Sequence, residues 1–294
     1  MNATQLVSPP QAGEGSEGRA RPVNLVMTLL VRDEADIVEA NIRHHLNIGV
    51  HHIVATDNGS TDGTVEILEG FQRDGVLSLR HDADDTFDQA RITTEMAHLA
   101  HERFGAEWVL SNDADEFWGG PLKQTIAATP ANLLFCRRAN RIAAREEEWS
   151  FAAARYLAAA PKAGARAELL RPIPPKVLVR ATDLVHLTQG CHNAEMREAR
   201  PAPARELLIR HFPVRGRDHF ARKAMAGGAA YARNLTLDPR LGAHWRRWHR
   251  EIEDGRLDAL YAEVVPSREE IAAAQADGTV IADGTLISSG GFRP

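Results

Sequence analysis

The stretch VNLVMTLLVRDEADIVEANIRHHLNIGVHHIVATDNGSTDGT, Val23 to Thr64, changes its hydrophobic rhythm three times. It opens with a near-continuous apolar run, which is how a strand buried on both faces reads inside a parallel sheet. ADIVEANIRHHLNIG follows, with Ile37, Ile42, Leu46 and Ile48 close to helical spacing and Gly49 as its stop. HHIVATDN is a second strand. STDGTVEILEGF then opens a second helix, with Thr61 or Asp62 as its N-cap and Val65, Ile67 and Leu68 apolar.

The same unit recurs downstream. VLSLRHD predicts a third strand, Asp88 to Phe104 a longer helix, and WVLSND a fourth strand. Four alternations with short connections predict an α/β layer structure, mainly parallel, with helices on both faces of the sheet. Ligands collect at the carboxyl ends of the strands in such sheets. The polar clusters fall at those ends: RDE after strand one, DNGSTD after strand two, HDADD after strand three and NDADE after strand four. Four polar strand ends on one rim predict a site.

The rhythm changes after Pro121. ANLLFCRRANRI, KVLVRATDLVHLTQGCHN and LLIRHFPVR read as strands without a full helix between each pair, which suits mixed or antiparallel additions to the sheet. DHFARKAMAGGAAYAR and the stretch from His244 to Val265 read as helices. SREEIAAAQADGTVIADGTLISSGGFRP starts as a short capped helix and trails into Gly-rich coil. Residues 1–21, rich in Gly, Pro, Ser and Glu, read as a disordered lead-in. The catalytic domain is expected over 22–234, and a helical appendage with a coil tail over 235–294. No internal repeat is visible.

Composition narrows the partners. A net charge of −5 and a pI near 6.2 give the wrong global field for a nucleic-acid binder. Cys136 and Cys191 stand far apart, outside any metal-finger or redox spacing, and read as reduced buried thiols. No apolar run approaches the ~20 residues of a membrane span, and the N-terminus lacks the layout of a secretory signal. The expectation is a cytoplasmic protein, with peripheral contact at a membrane as the alternative.

Asp113 and Asp115 in NDADE form an acid-x-acid triplet with Glu116 directly after. Such triplets are weak alone: 40 acids in 294 residues supply about five by chance, and Asp82-x-Asp84 reads as one of these. The place of NDADE, on the inferred rim after a buried strand, sets it apart. Crowded carboxylates repel unless a cation offsets them. Two carboxylates two residues apart can both reach one hard divalent ion, Mn²⁺ or Mg²⁺, whose other positions go to phosphate oxygens and water. A solvated acidic loop is the other reading of the spacing.

VRDEADIVEANIRHHLNIGVHHIVATDNGSTDGT followed by WVLSNDADEF resembles the GT-A glycosyltransferases of the family 2 type, in the subgroup whose metal motif reads DxDEF. The resemblance covers Val23 to Trp118 well, and the region to about Tyr231 more loosely. It implies a GT-A, Rossmann-like nucleotide-diphospho-sugar transferase fold. It also implies a metal-dependent, inverting transfer of a sugar from a UDP- or GDP-linked donor to a glycan or other hydroxyl acceptor, with surface polysaccharide or glycoconjugate synthesis as a family-level expectation. By the same resemblance Asp113 and Asp115 bind the metal, and Asp113 with it the donor. Glu116 is an acid beside them or in contact with the sugar. Arg32, Asp33 and Glu34 stand at a first-strand motif that usually reads Arg-Asn-Glu, so Asp33 departs from the pattern. Asp57 matches the acid that contacts the base or ribose, and Asp62 reads as a helix cap.

The second half supplies further candidates. GT-A enzymes often carry a C-terminal histidine metal ligand; His211, after LLIR, is the first choice and His192 its rival. Gly190 in TQG is either a turn beside the donor sugar, where a Cβ would obstruct approach, or a hairpin bend. Glu195 is the candidate base for the acceptor proton, with Asp183 and Asp218 as alternatives. Arg215, Arg217, Arg222 and Lys223 either grip a diphosphate or begin a solvated helix. The histidines at 44, 45, 51 and 52 read as packing or surface residues. HWRRWHRE reads as an amphipathic helix docked on the core through Trp245, Trp248 and Ile252, with a glycan or membrane contact as the minority reading. REEEW, 145–149, reads as a mobile acidic loop over the site or a solvated one. The rival functions are a nucleotidyltransferase, whose Gly- and Lys-rich phosphate loop is missing from LLVRDEADI, and a non-catalytic nucleotide-sugar binding module.

Overall fold

The computed structural model describes residues 23–82, 88–233, 238, 240, 242–288 and 291–293. The expected lead-in, Asp84 and the expected boundary at 234 lie outside the described residues.

The first half alternates as its rhythm predicts: β1 (Leu25–Val31), α1 (Val38–Asn47), β2 (His52–Asp57), α2 (Thr64–Arg73), β3 (Leu77–His81), α3 (Gln89–Phe104) and β4 (Trp108–Asn112). These strands pair in parallel in the order β3-β2-β1-β4. Both faces of β1 are covered. Leu25, Met27 and Leu29 pack with Ile42 of α1 and Leu68 and Phe71 of α2, whereas Val26 and Leu30 pack with Ile92 and Met96 of α3. That two-sided burial explains the unbroken apolar run.

α2 starts later than expected. Gly63, at φ +99°, holds the cap position, and Asp62 instead accepts hydrogen bonds from the Thr64 amide (3.1 Å) and the Ala35 amide (3.0 Å). Asp62 therefore ties the loop after β2 to the loop after β1. The left-handed conformation falls to the glycine because it has no Cβ to crowd.

The second half completes the sheet with β5 (Glu116–Gly119), α4 (Leu122–Ala128), β6 (Leu133–Ile142), β7 (Tyr156–Leu157), β8 (Lys176–Arg180), β9 (Leu184–Leu187), β10 (Ala194–Met196) and β11 (Pro201–His211). β8 inserts antiparallel between β4 and β6, β11 runs parallel to β6, and β5 runs antiparallel to β11. β9 and β10 form a separate antiparallel pair.

The C-terminal helices α5 (Arg217–Arg233), α6 (Ala243–Glu253), α7 (Leu257–Val264) and α8 (Arg268–Ala276) close one end of the sheet. The expected helical stretch from His244 to Val265 is two helices, parted at Gly255 in the left-handed region. Ser267 and Glu270 form the reciprocal cap that starts α8. Phe220, Leu260, Val264 and Ile271 share a hydrophobic cluster with Ile142 and Ala158 from the sheet end.

The described part of the expected coil tail contains strands. β12 (Ile281–Ala282) extends the sheet beside β7, and β13 (Leu286–Ser288) pairs with β14 (Gly291–Arg293). The anchor is Asp283, which accepts from Arg210 Nε at 2.7 Å and lies 2.7 Å from Arg141 Nη1. Long-range ion pairing of this kind leaves no local sequence trace. Burial would raise the Asp283 carboxyl from its ordinary 3.8, yet the Arg210 and Thr285 hydrogen bonds and the Arg141 charge bring it down to about 2. A carboxyl depressed on folding adds stability above its unfolded value and loses it as the pH falls through the folded one. Asp283→Asn is expected to lower the thermal midpoint at pH 7 and to flatten its decline between pH 3.8 and about 2, as read by calorimetry across pH.

Candidate active site

β4 is buried along its length and ends where the acids begin. The chain reverses there: the Glu116 amide donates to the Asp113 carbonyl at 3.1 Å, and β5 sets off in the opposite direction. Asn41 of α1 holds this turn from below. Its Nδ2 donates to the carbonyls of Ala114 (2.9 Å) and Glu116 (2.7 Å), and its Oδ1 accepts from Asn112 at 3.0 Å. Trp118 Nε1 in turn donates to Asn112 at 2.9 Å. The two tryptophans flanking NDADEF are thus core residues, and the acids are fixed by backbone clamps. His44 and His45, fully buried, serve the same packing: they bond to the Trp118 and Asn41 carbonyls.

The partners of the acids come from strands that sequence places far away. Antiparallel register sets Leu110 of β4 opposite Leu178 of β8, so the first residue of β8, Lys176, stands beside the end of β4. Its ammonium lies 2.7 Å from Asp113 Oδ2 and 3.4 Å from Glu116 Oε2, with none of its side chain exposed. Arg138 of β6 donates to Glu116 Oε1 at 2.6 Å. β11 brings His211 opposite both Glu116 of β5 and Asn140 of β6. From α5, Lys223 bridges Asp115 Oδ2 (2.6 Å) and Glu34 Oε1 (3.0 Å). Arg215, just before α5, pairs with Glu34 and with Asp36 at 2.7 Å.

Burial alone would raise the Asp115 carboxyl, but Lys223 foremost holds it well below the usual carboxylate range. Burial works against the charge on Lys223 too, and the Asp115 and Glu34 carboxylates outweigh it. His211 goes the other way: burial, with Arg138 and Lys223 nearby, pushes it down to about 3 despite Asp115. It is neutral, with one N–H. That N–H is on Nδ1, because Nδ1 meets Asn140 Oδ1 at 2.9 Å while Asn140 Nδ2 is engaged with the Leu169 carbonyl at 3.0 Å. His211 Nε2 therefore presents a lone pair to Asp115 Oδ1, 3.7 Å away. Two acceptors facing each other at that separation leave a place for a cation between them.

The remaining predicted residues are distributed as follows. Glu34 joins the cluster, whereas Arg32 lies exposed at the rim beside Asp33. Asp33, at φ +52°, accepts from the Thr61 amide at 2.8 Å while its own amide donates to Ser60, which links the first two rim loops. The Asp57 carboxylate accepts from the Gly59 and Ser60 amides at 3.1 and 3.2 Å and shapes its own turn, with His81 at 3.8 Å. Gly190, at φ +72°, sits in the turn after β9; a Cβ there would stand 2.6 Å from the His192 ring. His192 itself donates to the Pro175 carbonyl. Glu195 is exposed on β10, Asp183 accepts from Asn132 at 2.7 Å, and Asp218 points to solvent beside Arg217. The basic run divides: Arg215 and Lys223 turn inward, Arg217 and Arg222 outward. In REEEW, Glu146 and Glu148 are exposed as a solvated loop requires, Glu147 lies 2.9 Å from Arg155, and Trp149 packs against Phe151.

Lys176 and Arg138 are the residues that sequence reasoning missed. The available signal was a lysine at the head of the otherwise apolar KVLV, and an arginine inside the buried run of β6. Neither pattern says which acid it meets. Among the described residues no three His, Cys, Asp or Glu groups converge as a ready cation cage, and Lys176 and Lys223 hold one oxygen each of Asp113 and Asp115.

Breaking one member of a buried ion group leaves the others uncompensated, at ~3–5 kcal/mol. Glu116→Ala is expected to cost about that much in denaturant unfolding, with Glu116→Gln milder because it keeps an acceptor for Arg138.

No protein-family model matches the chain, and no curated protein does. Similar solved structures include residues 1–349 of S. aureus TarS in complex with UDP-GlcNAc, at 12% identity and a TM-score of 0.43 over 82% of this chain and 74% of that one. Another is the glucosyl-3-phosphoglycerate synthase from Mycobacterium tuberculosis in complex with Mn²⁺, UDP and glucosyl-3-phosphoglycerate, at 14% identity and a TM-score of 0.37 over 74% and 81%. At these values the likeness is one of general outline.

Proposed function

We propose that the chain is a GT-A-type glycosyltransferase that takes a nucleotide-diphosphate sugar and a divalent ion, Mn²⁺ or Mg²⁺, and passes the sugar to an acceptor hydroxyl with inversion. The observation that carries this reading is the facing pair of acceptors, His211 Nε2 and Asp115 Oδ1, on the carboxyl rim of a parallel sheet. Asp115 and His211 would hold the ion, with Asp113 alongside. A bound divalent ion would stabilise the charge that grows on the departing nucleoside diphosphate.

The chain's own groups have separate tasks. Asn41 and the turn of Asp113–Glu116 fix the acids against the sheet. Asn140 sets the His211 tautomer, so that Nε2 is free to ligate without first losing a proton. The rim loops that carry Arg32 and Asp57 are cross-tied through Asp33 and Asp62 and supply a rigid floor for the nucleotide. Glu195, exposed and uncommitted to a cation in any ion pair found among the described residues, is the base we assign to the acceptor proton. Among the described residues no helix is long and apolar enough to cross a membrane.

Calorimetric titration with UDP and GDP, with and without Mn²⁺, tests the reading. One diphosphate is expected to bind only with metal, and to weaken by roughly tenfold or more in Asp115→Asn and His211→Ala. Failure of both diphosphates under every metal condition would sink the proposal. Release of diphosphate from the matching nucleotide sugar distinguishes a transferase from a binding module, and its loss in Glu195→Gln, with nucleotide affinity retained, identifies the base.

A further inference from the structure

The acids of the rim already have counter-ions. Glu34, Asp113, Asp115 and Glu116 are matched by Arg138, Lys176, Arg215 and Lys223, each pair drawn from different elements. Arg215 also serves Asp36, so the group holds one acid more than it has cations, and a bare divalent ion entering it leaves a net positive charge. An ion arriving with a diphosphate does not.

The two lysines differ in what they can do. Lys176 is wholly enclosed between β4 and β6 and spans Asp113 and Glu116. Lys223 retains 26% side-chain exposure at the edge of the cluster, on a flexible four-carbon stem. It holds Asp115 by Oδ2, while Oδ1 of the same carboxylate faces His211. Lys223 is thus adjacent to the cation position and is the cation of the cluster that has both a path to solvent and a grip on the acid an ion would need.

We propose, resting on the glycosyltransferase reading above, that Lys223 is an exchangeable counter-ion and a diphosphate ligand. In the metal-free protein its ammonium neutralises Asp115 and resists a bare ion. When the ion occupies Asp115 and His211 together with the nucleotide, the ammonium turns to the diphosphate oxygens and stays near Glu34. Metal and nucleotide then bind with positive coupling, each paying less in the presence of the other.

The test is binding, not turnover, on the full chain. Lys223→Met keeps the aliphatic stem and removes the charge. Mn²⁺ alone, titrated by electron paramagnetic resonance, is expected to bind roughly tenfold more tightly than to the unaltered protein, while UDP or GDP at saturating Mn²⁺ binds roughly tenfold more weakly. Lys223→Gln keeps a donor for Asp115 and Glu34, and carries the same expectation should the methionine variant fail to fold. If Mn²⁺ alone binds the variants no better, or if the nucleotide affinity at saturating Mn²⁺ is unchanged, Lys223 is a structural ion-pair partner only and the inference falls. If the unaltered protein binds neither diphosphate with Mn²⁺, the glycosyltransferase reading falls first, and this one with it.

Discussion

A cluster of carboxylates at the end of a buried strand is the constraint around which this molecule is arranged. Asp113, Asp115 and Glu116 sit where the apolar β4 ends, and burying such groups unpaired costs more than a domain has to spare. Each acid therefore meets a cation from a later segment: Lys176 from β8, Arg138 from β6 and Lys223 from α5. Lys176 and Glu116 are wholly enclosed, whereas Asp113 and Lys223 keep partial exposure, so the penalty for truncating one side is largest at Lys176 and Glu116. Folding of the second half and charge balance in the first are one problem.

The topology of the sheet solves it. Inserting β8 antiparallel beside β4 brings the start of one strand to the end of the other. A parallel neighbour would have placed its first residue at the opposite rim. β6 and β11 run in the same direction as β4, so Arg138, Asn140 and His211 arrive near the same carboxyl edge. Acids come from the regular α/β half, and cations and the histidine from the irregular half. The rim loops of the first half are stiffened separately, by Asp33 and Asp62 bonding across from one loop to the next.

The C-terminal helices hold α5 in register with this edge. Gly227 lets α6 approach closely: a Cβ there would stand 2.7 Å from the Trp245 ring. Trp248 packs against Phe220, and Arg247 pairs with Glu168 and, at 2.7 Å, with Glu263. Arg215 lies in the segment just before α5, and Lys223 shares a helix face with Phe220 and Gly227, so the packing of α6 borders the face that carries Lys223. The docked amphipathic helix expected of HWRRWHRE thus sets Trp248 against Phe220 and Trp245 beside Gly227, both half-buried.

The sequence by itself determined the parallel half of the fold and the position of the rim. Buried strands must read as apolar runs, and a helix packed on one face must repeat near 3.6, whatever follows in the chain. It also determined that NDADE needed positive charge, since like charges repel at any fold. Only the tertiary structure decided where that charge comes from. Lys176 and Arg138 are ordinary letters in ordinary strands; their role depends on the register of β8 and β6, which sequence periodicity does not specify between distant segments. The same holds for His211, whose Nε2 lone pair is free because Asn140 on a neighbouring strand accepts a hydrogen bond from Nδ1–H and so keeps the proton on that nitrogen. Local physics writes the elements into the sequence, whereas long-range register, set by the packing of the whole core, assembles the site.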